Sequence, residues 1–449
     1  MKTKKCVVIG GGPAGSAAAL AVAGADAGSV LLVERDAFGG TCTNRGCIPT
    51  KFLLSRSDLL AKTGAVASGE WGRMLGHKNA LIQGLSRSIE SNCRSRGIEI
   101  ARGSARFISP HEIEVTANDG ARQTCVGENF IIATGSKPAE IRGIPYNGLT
   151  IISSDEALSL RELPKTMAIV GSGAVGSEFA FIFTRLGVTV TLVEAADRLF
   201  PAEDPDVDAV FRKIYARMGV AVHTGDPVTG IEIRDGGSSV AVQLASGTVI
   251  EAEKTLVGVG RTLETGSLGC EAAGIALGPR GGVAVDDDLQ TSQPHILAAG
   301  DVTGRMLLAH AATSMGEYAG RKAAGLPFSP VPYHSIPWAT FVTPEIASVG
   351  LTVEGATRAG LSCVSASVPL MENVKARIDR TTEGFFKIVA EEKTGRLVGG
   401  TVVGPHASDL IHIIALAIHQ NLTVADMRGF VFVHPSISES IGDVFSSLK

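Results

Sequence analysis

Cys42 and Cys47 stand five positions apart in the run Gly39-Gly40-Thr41-Cys42-Thr43-Asn44-Arg45-Gly46-Cys47-Ile48-Pro49-Thr50-Lys51. A disulfide of that spacing can take up and release an electron pair by thiol–disulfide exchange. Such exchange needs an attacking thiolate, a base to make it and a good leaving sulfur. Near the other end of the chain, the run His434-Pro435-Ser436-Ile437-Ser438-Glu439 offers an imidazole with a carboxylate to orient it, the pairing used for general-base work. Zinc is the competing reading of a close Cys pair. It takes about four ligands, and no second Cys or His cluster supplies the rest, so no metal is expected.

The elements that must position these residues begin just upstream. Residues 6–9 read as a short buried strand, Gly10-Gly11-Gly12-Pro13-Ala14-Gly15 as a turn into an Ala-rich helix, and residues 30–33 as the next strand, ended by Glu34. The design recurs: a strand over 167–170, Gly171-Ser172-Gly173-Ala174-Val175-Gly176 opening a helix through Leu186, and a strand over 189–193 ended by Glu194. Gly10 and Gly171 allow the sharp turn, Gly12 and Gly173 let the backbone approach a pyrophosphate, and Gly15 and Gly176 permit close helix–sheet packing. The helix N-terminus offers amides and partial positive charge to the phosphates. Glu34 and Glu194 then accept from ribose hydroxyls. Two such units predict two dinucleotides. At the second, a carboxylate accepts from a free 2′-hydroxyl and repels a 2′-phosphate. Of its neighbours Ala195, Ala196, Arg198 and Pro201, only Arg198 is positive, so NAD is expected.

Between the two units, residues 98–126 alternate apolar and polar and predict a small antiparallel sheet. Residues 130–136 read as a buried strand entering a tight loop, and 295–301 repeat that pattern with Asp301 at the end. Beyond the Pro-rich stretch 327–337, residues 338–405 read as strands and hairpins and 408–420 as an apolar helix, so a separate domain is expected from about residue 334.

With 449 residues, 45% of them hydrophobic, the chain is long enough for about three domains. Its 54 glycines and few aromatics fit an α/β protein with many tight turns. A net charge of -4 makes no electrostatic case for nucleic acid or an acidic membrane. No apolar run approaches the ~18–20 residues of a membrane span, and the N-terminal lysines lead into a strand rather than a secretion signal. Seven thinly scattered cysteines do not resemble a secreted disulfide scaffold, so a reducing, cytoplasmic setting is expected.

Together these residues resemble the pyridine-nucleotide–disulfide oxidoreductases, flavoenzymes that include dihydrolipoamide dehydrogenase, glutathione reductase and mercuric reductase. The likeness runs through 10–15 with Glu34, 39–51, 133–136, 171–178, Gly300-Asp301, 344–350 and 434–439, and so covers essentially the whole chain. It implies an α/β fold with two Rossmann-like dinucleotide-binding domains, one for FAD (1–147 and 265–333) and one for NAD (148–264). A C-terminal α+β dimerisation domain (334–449) completes it. Gly176, Glu194 and the segment 404–411 look most like the dihydrolipoamide dehydrogenase branch. No Cys pair follows Cys363, as a C-terminal thiol relay would need.

The resemblance implies oxidation of protein-bound dihydrolipoamide by NAD through FAD and a Cys42–Cys47 disulfide. Cys42 would meet the substrate and Cys47 the flavin, on the first turn of a helix whose N-terminus favours a thiolate. His434 would be the base and Glu439 its partner, acting across the interface of a homodimer, with Pro435 in a cis bond. Lys51 and Glu178 would pair beside the flavin's reactive nitrogen. Asp301 would bind the FAD ribitol or phosphate region, Glu34 the adenosine ribose, and Ala105, Thr134 and Gly135 would contact FAD through backbone. The implied partners are lipoyl-bearing acyltransferases or the glycine-cleavage carrier protein. Arg45 in the redox loop, Ala174, and Phe432 where a second histidine is common depart from the branch. They leave open NAD(P)H-dependent reduction of another disulfide; a flavin-retaining structural subunit is a reading of another class.

Overall fold

The apolar run before the first glycine turn forms β1 (Lys4–Ile9), the Ala-rich stretch α1 (Pro13–Ala25), and the next apolar run β2 (Val30–Glu34), buried along its whole length. The computed structural model describes residues 3–63 and 69–448. They cluster into two units: Met1–Phe52, Trp71–Ala139 and Gly260–Val331 in the first, and Leu53–Glu70, Glu140–Val259 and Pro332–Lys449 in the second.

In the first unit the chain continues through α2 (Gly40–Arg45) into α3 (Cys47–Thr63), whose residues from Leu53 on fall in the second unit, then α4 (Glu70–Ser95), β3 (Glu99–Arg102), β4 (Ser104–Ser109), β5 (Glu112–Thr116), β6 (Arg122–Ile132) and β7 (Ser136–Pro138). Strands β3-β2-β1-β6 lie side by side and parallel, with strand Ile296–Ala298 parallel on the far side of β6. β4, β5 and the N-terminal half of β6 form an antiparallel meander. The expected antiparallel sheet over 98–126 is therefore corrected at its start, since Glu99–Arg102 pairs parallel with β2. Gly103, at φ +156°, separates β3 from β4, and its N–H donates to the Glu34 carbonyl at 3.0 Å. The 26-residue helix α4 was not anticipated. The small residues of α1 have a packing reason. Helix Ala309–Ala323 lies so close that a Cβ on Gly316 would fall 2.0 Å from the Ala14 carbonyl oxygen, and one on Gly320 2.4 Å from that of Ala18. The core beneath includes Val7, Ile9, Leu31, Val33, Phe107 and Phe130.

The second unit repeats the plan. Ala221–His223, Thr189–Val193, Thr166–Val170, Lys254–Val257 and Ile151–Ile152 form a parallel sheet in that order. A three-stranded antiparallel meander, Val228–Arg234, Ser239–Leu244 and Val249–Ala252, accompanies it. The coarse duplication read from the two glycine turns thus extends to strand order. The unit also holds a five-stranded antiparallel sheet, ordered Trp338–Thr340, Glu345–Gly350, Leu397–Gly404, Phe385–Glu391 and Cys363–Pro369. Helix Ala407–His419 covers it with Ile411, Ile414 and Ile418 packed in one core with Phe386 and Ile388. The α/β architecture expected from the sequence is borne out. Among the described residues no helix is long and apolar enough to cross a membrane.

Candidate active site

Parallel sheets bind ligands beyond the C-terminal ends of their strands. At that end of the first sheet the predicted residues converge. Gly10 has φ +109°, and a Cβ there would lie 2.3 Å from the Ala133 carbonyl oxygen, so the turn leaving β1 crosses directly over the chain leaving β6. A Cβ on Gly15 would lie 1.7 Å from the Gly10 carbonyl oxygen. Gly12 has only Gly40 Cα near its Cβ position, at 3.7 Å, which leaves an open face at the start of α1. Glu34 is buried, one oxygen accepting from Gly11 N at 2.6 Å and the other from Asp36 N at 2.7 Å. Gly135, at φ +75°, and Thr134 follow β6, and Ala105 lies on β4 two residues past Gly103. Asp301 follows strand Ile296–Ala298 and accepts from Ser136 Oγ at 2.5 Å. The preceding Gly300 approaches α1, its Cβ position being 3.0 Å from Ala14 Cβ. A buried strand-end acid, an exposed helix N-terminus and a turn with no space for side chains are the parts a dinucleotide pyrophosphate and ribose require. These residues fit FAD.

The redox loop grows out of this corner. Gly39 N donates to the Gly11 carbonyl at 2.9 Å, and Gly40 packs on Gly12. Asn44 Nδ2 donates to the carbonyls of Phe38 at 3.0 Å and Gly40 at 2.9 Å, tying α2 down from within. The expectation that the pair shares the first turn of one helix is corrected here. Cys42 sits inside α2, Gly46 (φ −140°, ψ −108°) breaks the helix, and Cys47 is the first residue of α3. Cys42 is the third residue of the six-residue α2, whereas Cys47 opens the 17-residue α3, where peptide dipoles favour negative charge. Both cysteines are half-buried thiols. The Cys42 thiol is held well above its ordinary range by its hydrogen bond with Cys47 and by burial, against the nearby Lys51 ammonium. Lys51 lies one turn along α3 from Cys47. Arg45 pairs with Asp36 at 2.8 Å, the local bond of a loop arginine.

The second glycine turn reproduces the first. Gly171 has φ +100°, with a Cβ position 2.5 Å from the Gly258 carbonyl oxygen, and a Cβ on Gly176 would meet the Gly171 carbonyl oxygen at 1.8 Å. Gly173 has nothing near its Cβ position and precedes helix Ala174–Arg185. Buried Glu194 accepts from Ser172 N at 2.8 Å and Ala196 N at 2.9 Å, the same pattern as Glu34. Glu178, buried on that helix, accepts from Phe341 N at 2.9 Å. Arg198, the one cation near Glu194 in sequence, is committed to a two-pronged bond with Glu354 at 2.9 and 3.0 Å.

In the second unit His434 Nδ1 lies 2.9 Å from Glu439 Oε1, and Ser436 N donates to the other carboxylate oxygen at 2.8 Å. The Ser436 amide and His434 hold the Glu439 carboxyl below the usual carboxylate range. The His434–Pro435 peptide is cis, and the imidazole is 71% exposed. Cys42, Cys47 and Lys51 thus belong to the first unit and Glu178, His434 and Glu439 to the second.

Several polar residues at these sites escaped the sequence reading. Arg261 Nε donates to Ser136 Oγ at 2.6 Å beside Asp301, and Glu264 pairs with Arg35 at 2.8 Å. Glu203 is buried, accepting from Trp338 Nε1 at 2.9 Å and Ser348 Oγ at 2.7 Å. None stands in a repeated spacing that the sequence could have marked. Among the described residues no three His, Cys, Asp or Glu side chains group to hold a metal ion.

Comparison with known proteins accounts for this combination. Residues 4–316 match the family model described as pyridine nucleotide-disulphide oxidoreductase, and residues 336–445 match its dimerisation domain. The dihydrolipoyl dehydrogenase 2 of Haloarcula marismortui is 35% identical, over 99% of this chain and 96% of its own. The dihydrolipoyl dehydrogenase of Bacillus subtilis is 34% identical over 98% and 97%. Among solved structures, LpdA from Mycobacterium tuberculosis superposes with a TM-score of 0.91 at 29% identity, covering 99% of both chains. The HOCl-induced flavoprotein disulfide reductase RclA from Escherichia coli gives 0.88 at 30% identity, covering 99% of this chain and 100% of its own. Twin dinucleotide turns, a thiol pair beside the first and matches along nearly all its length place the chain among the pyridine nucleotide-disulphide oxidoreductases, whose cofactors are FAD and NAD.

Proposed function

We propose that this flavin-dependent disulfide oxidoreductase oxidises protein-bound dihydrolipoamide to lipoamide with NAD as acceptor. The observation that carries the reading is the thiol pair at the fingerprint corner, in a chain that also holds a His434–Glu439 dyad at 2.9 Å and has relatives named dihydrolipoyl dehydrogenase. FAD, held by Gly10, Gly12, Gly15, Glu34, Ala105, Thr134, Gly135 and Asp301, supplies two-electron transfer between the cysteine pair and NAD. The residues do the rest. His434 takes a proton from a substrate thiol, and the thiolate attacks Cys42 Sγ of the oxidised pair, breaking its bond to Cys47. The second substrate thiolate attacks the mixed disulfide and releases Cys42. The pair is reduced by two electrons and the substrate closes its ring. Glu439, kept ionised, balances the imidazolium charge. Lys51 is assigned to stabilising negative charge on the reduced flavin, and Glu178 to aligning the nicotinamide. Gly171, Gly173, Gly176 and Glu194 hold NAD. Arg198's commitment to Glu354 supports NAD over NADP, since this guanidinium is already paired.

The domain division follows: FAD on 1–147 and 265–333, NAD on 148–264 and dimerisation through 334–449. In a homodimer the dyad of one copy serves the thiols of the other, and a lipoyl-bearing acyltransferase or glycine-cleavage carrier presents the substrate. The likeness to RclA and the presence of Phe432 favour a second reading, NAD(P)H-dependent reduction of another disulfide. Steady-state turnover of dihydrolipoamide with NAD, against oxidised glutathione and other disulfides with NADH and NADPH, separates them. Faster turnover of dihydrolipoamide is expected; a rate confined to another disulfide would reverse the assignment.

A further inference from the structure

The charges around Glu264 belong to none of the motifs above, yet they stand over the first nucleotide corner. We propose that Glu264 closes an ionic clasp across the mouth of this groove and sets how slowly FAD leaves it; the proposal rests on the reading of that corner as the FAD site. In the sheet, β1 lies between β2 and β6, and the phosphate-binding turn begins where β1 ends. Arg35 directly follows β2, Thr134 and Gly135 follow β6, and Lys137 lies on β7. Glu264 follows strand Arg261–Leu263, which pairs antiparallel with β7. One of its carboxylate oxygens meets Arg35 Nη2 at 2.8 Å and the other Lys137 Nζ at 3.3 Å. Its backbone is fastened too: its carbonyl accepts from Thr134 Oγ1 at 2.7 Å and its N–H donates to the Gly135 carbonyl at 3.0 Å. One residue therefore joins the chain leaving β2 to the chain leaving β6, spanning the strand end where a ligand of a parallel sheet sits.

The energetics point to gating rather than folding. The anion is sheltered, with its side chain 17% exposed, while Arg35 and Lys137 are 52% and 63% exposed. Burial acts to raise the Glu264 carboxyl, but Arg35 and Lys137 outweigh it and hold the group below the usual glutamate range. Pairs with such open cations add little to global stability, because either cation is well solvated when released. Their effect falls on the local step in which the strand ends part to free the adenine side of the cofactor. That attraction is weakened by salt, as a backbone latch would not be.

The test measures the rate of FAD release from flavin-loaded protein by the rise of free-flavin fluorescence, at low and high salt. It compares wild type with Glu264→Gln, Arg35→Gln and Lys137→Gln. Gln keeps the backbone bonds and removes only the charge. E264Q is expected to release FAD roughly three- to tenfold faster at low salt, the scale of two partly exposed ion pairs. Its rate should respond less to salt than that of the wild type, whose release should quicken with salt; the response that remains belongs to the charged pyrophosphate of FAD. R35Q and K137Q, on exposed side chains that folding does not need, should fall between. Equal release rates in all four proteins, or a salt response as large in E264Q as in wild type, would overturn the clasp and leave the FAD site standing. Wild-type protein that cannot take up FAD would overturn the site reading and the clasp with it.

Discussion

Cys42 and Cys47 differ by position, and the difference matches the division of labour proposed for them. Cys47 opens the 17-residue helix α3 while Cys42 lies within the short α2, its proton held through the hydrogen bond with Cys47. Replacing either by Ser is expected to lower dihydrolipoamide turnover at least about 10³-fold, because one remaining thiol cannot close the disulfide that carries the electron pair. Flavin absorbance and folding should persist, and near-normal turnover in C42S or C47S would dismiss the exchange mechanism. His434→Gln should cost about 10²–10⁴-fold in kcat/KM, the usual worth of a positioned base. Glu439→Gln should cost less, since Gln can still accept from the imidazole while losing the charge that balances its cation. If E439Q proved as damaging as H434Q, the carboxylate would have a larger part than orientation.

At the scale of elements, the two glycine turns are built alike: a strand-end acid takes backbone N–H groups from both sides, and the third glycine admits no side chain. A Cβ on Gly176 would stand 1.8 Å from the Gly171 carbonyl oxygen, so the start of this helix has no room for a larger residue. Gly176→Ala is expected to destabilise the fold by about 1–3 kcal/mol, the cost of overpacking a close-packed site, and to weaken NAD binding. Denaturant unfolding and NAD titration check the two effects. Unchanged stability would mean that the turn can shift without cost.

Over the whole chain, two features reach beyond single elements. Phe430, Val431 and Val433 are 59%, 88% and 76% exposed on the loop that leads to His434, within the segment that matches a dimerisation domain. Apolar exposure of this kind marks a surface meant to be covered. Val431→Asp should yield a monomer by sedimentation, and dihydrolipoamide turnover should fall with the dimer; an active monomer would contradict a site shared between copies. Glu203 is the second feature. Burial raises its carboxyl above the ordinary glutamate value, against its bonds from Ser348 and Trp338. A raised acid binds its proton more tightly folded than unfolded, so its contribution to stability falls as pH climbs from the unfolded value through the folded one. Glu203→Gln, which can keep both hydrogen bonds, should remove that decline. The Tm difference, variant minus wild type, is expected to grow from about pH 4 toward neutrality. A constant difference would show that the carboxylate is compensated where it lies.

Residue order alone determined the α/β class, the two glycine turns with their strand-end acids and the place of the thiol pair beside the first of them. Each of these rests on local constraints: a glycine that a close carbonyl demands, an acid at a strand end, a cysteine spacing that closes a ring. Gly10, Gly15, Glu34 and Glu194 were legible for that reason. Tertiary structure decided what depends on partners distant in sequence. The parallel pairing of Glu99–Arg102, the helix break at Gly46 that puts Cys42 and Cys47 on separate helices, and the joining of Arg35 to Glu264 are of this kind. Charges such as Glu264 and Glu203 carry no periodicity, and the attraction between opposite charges depends on their separation in space rather than along the chain.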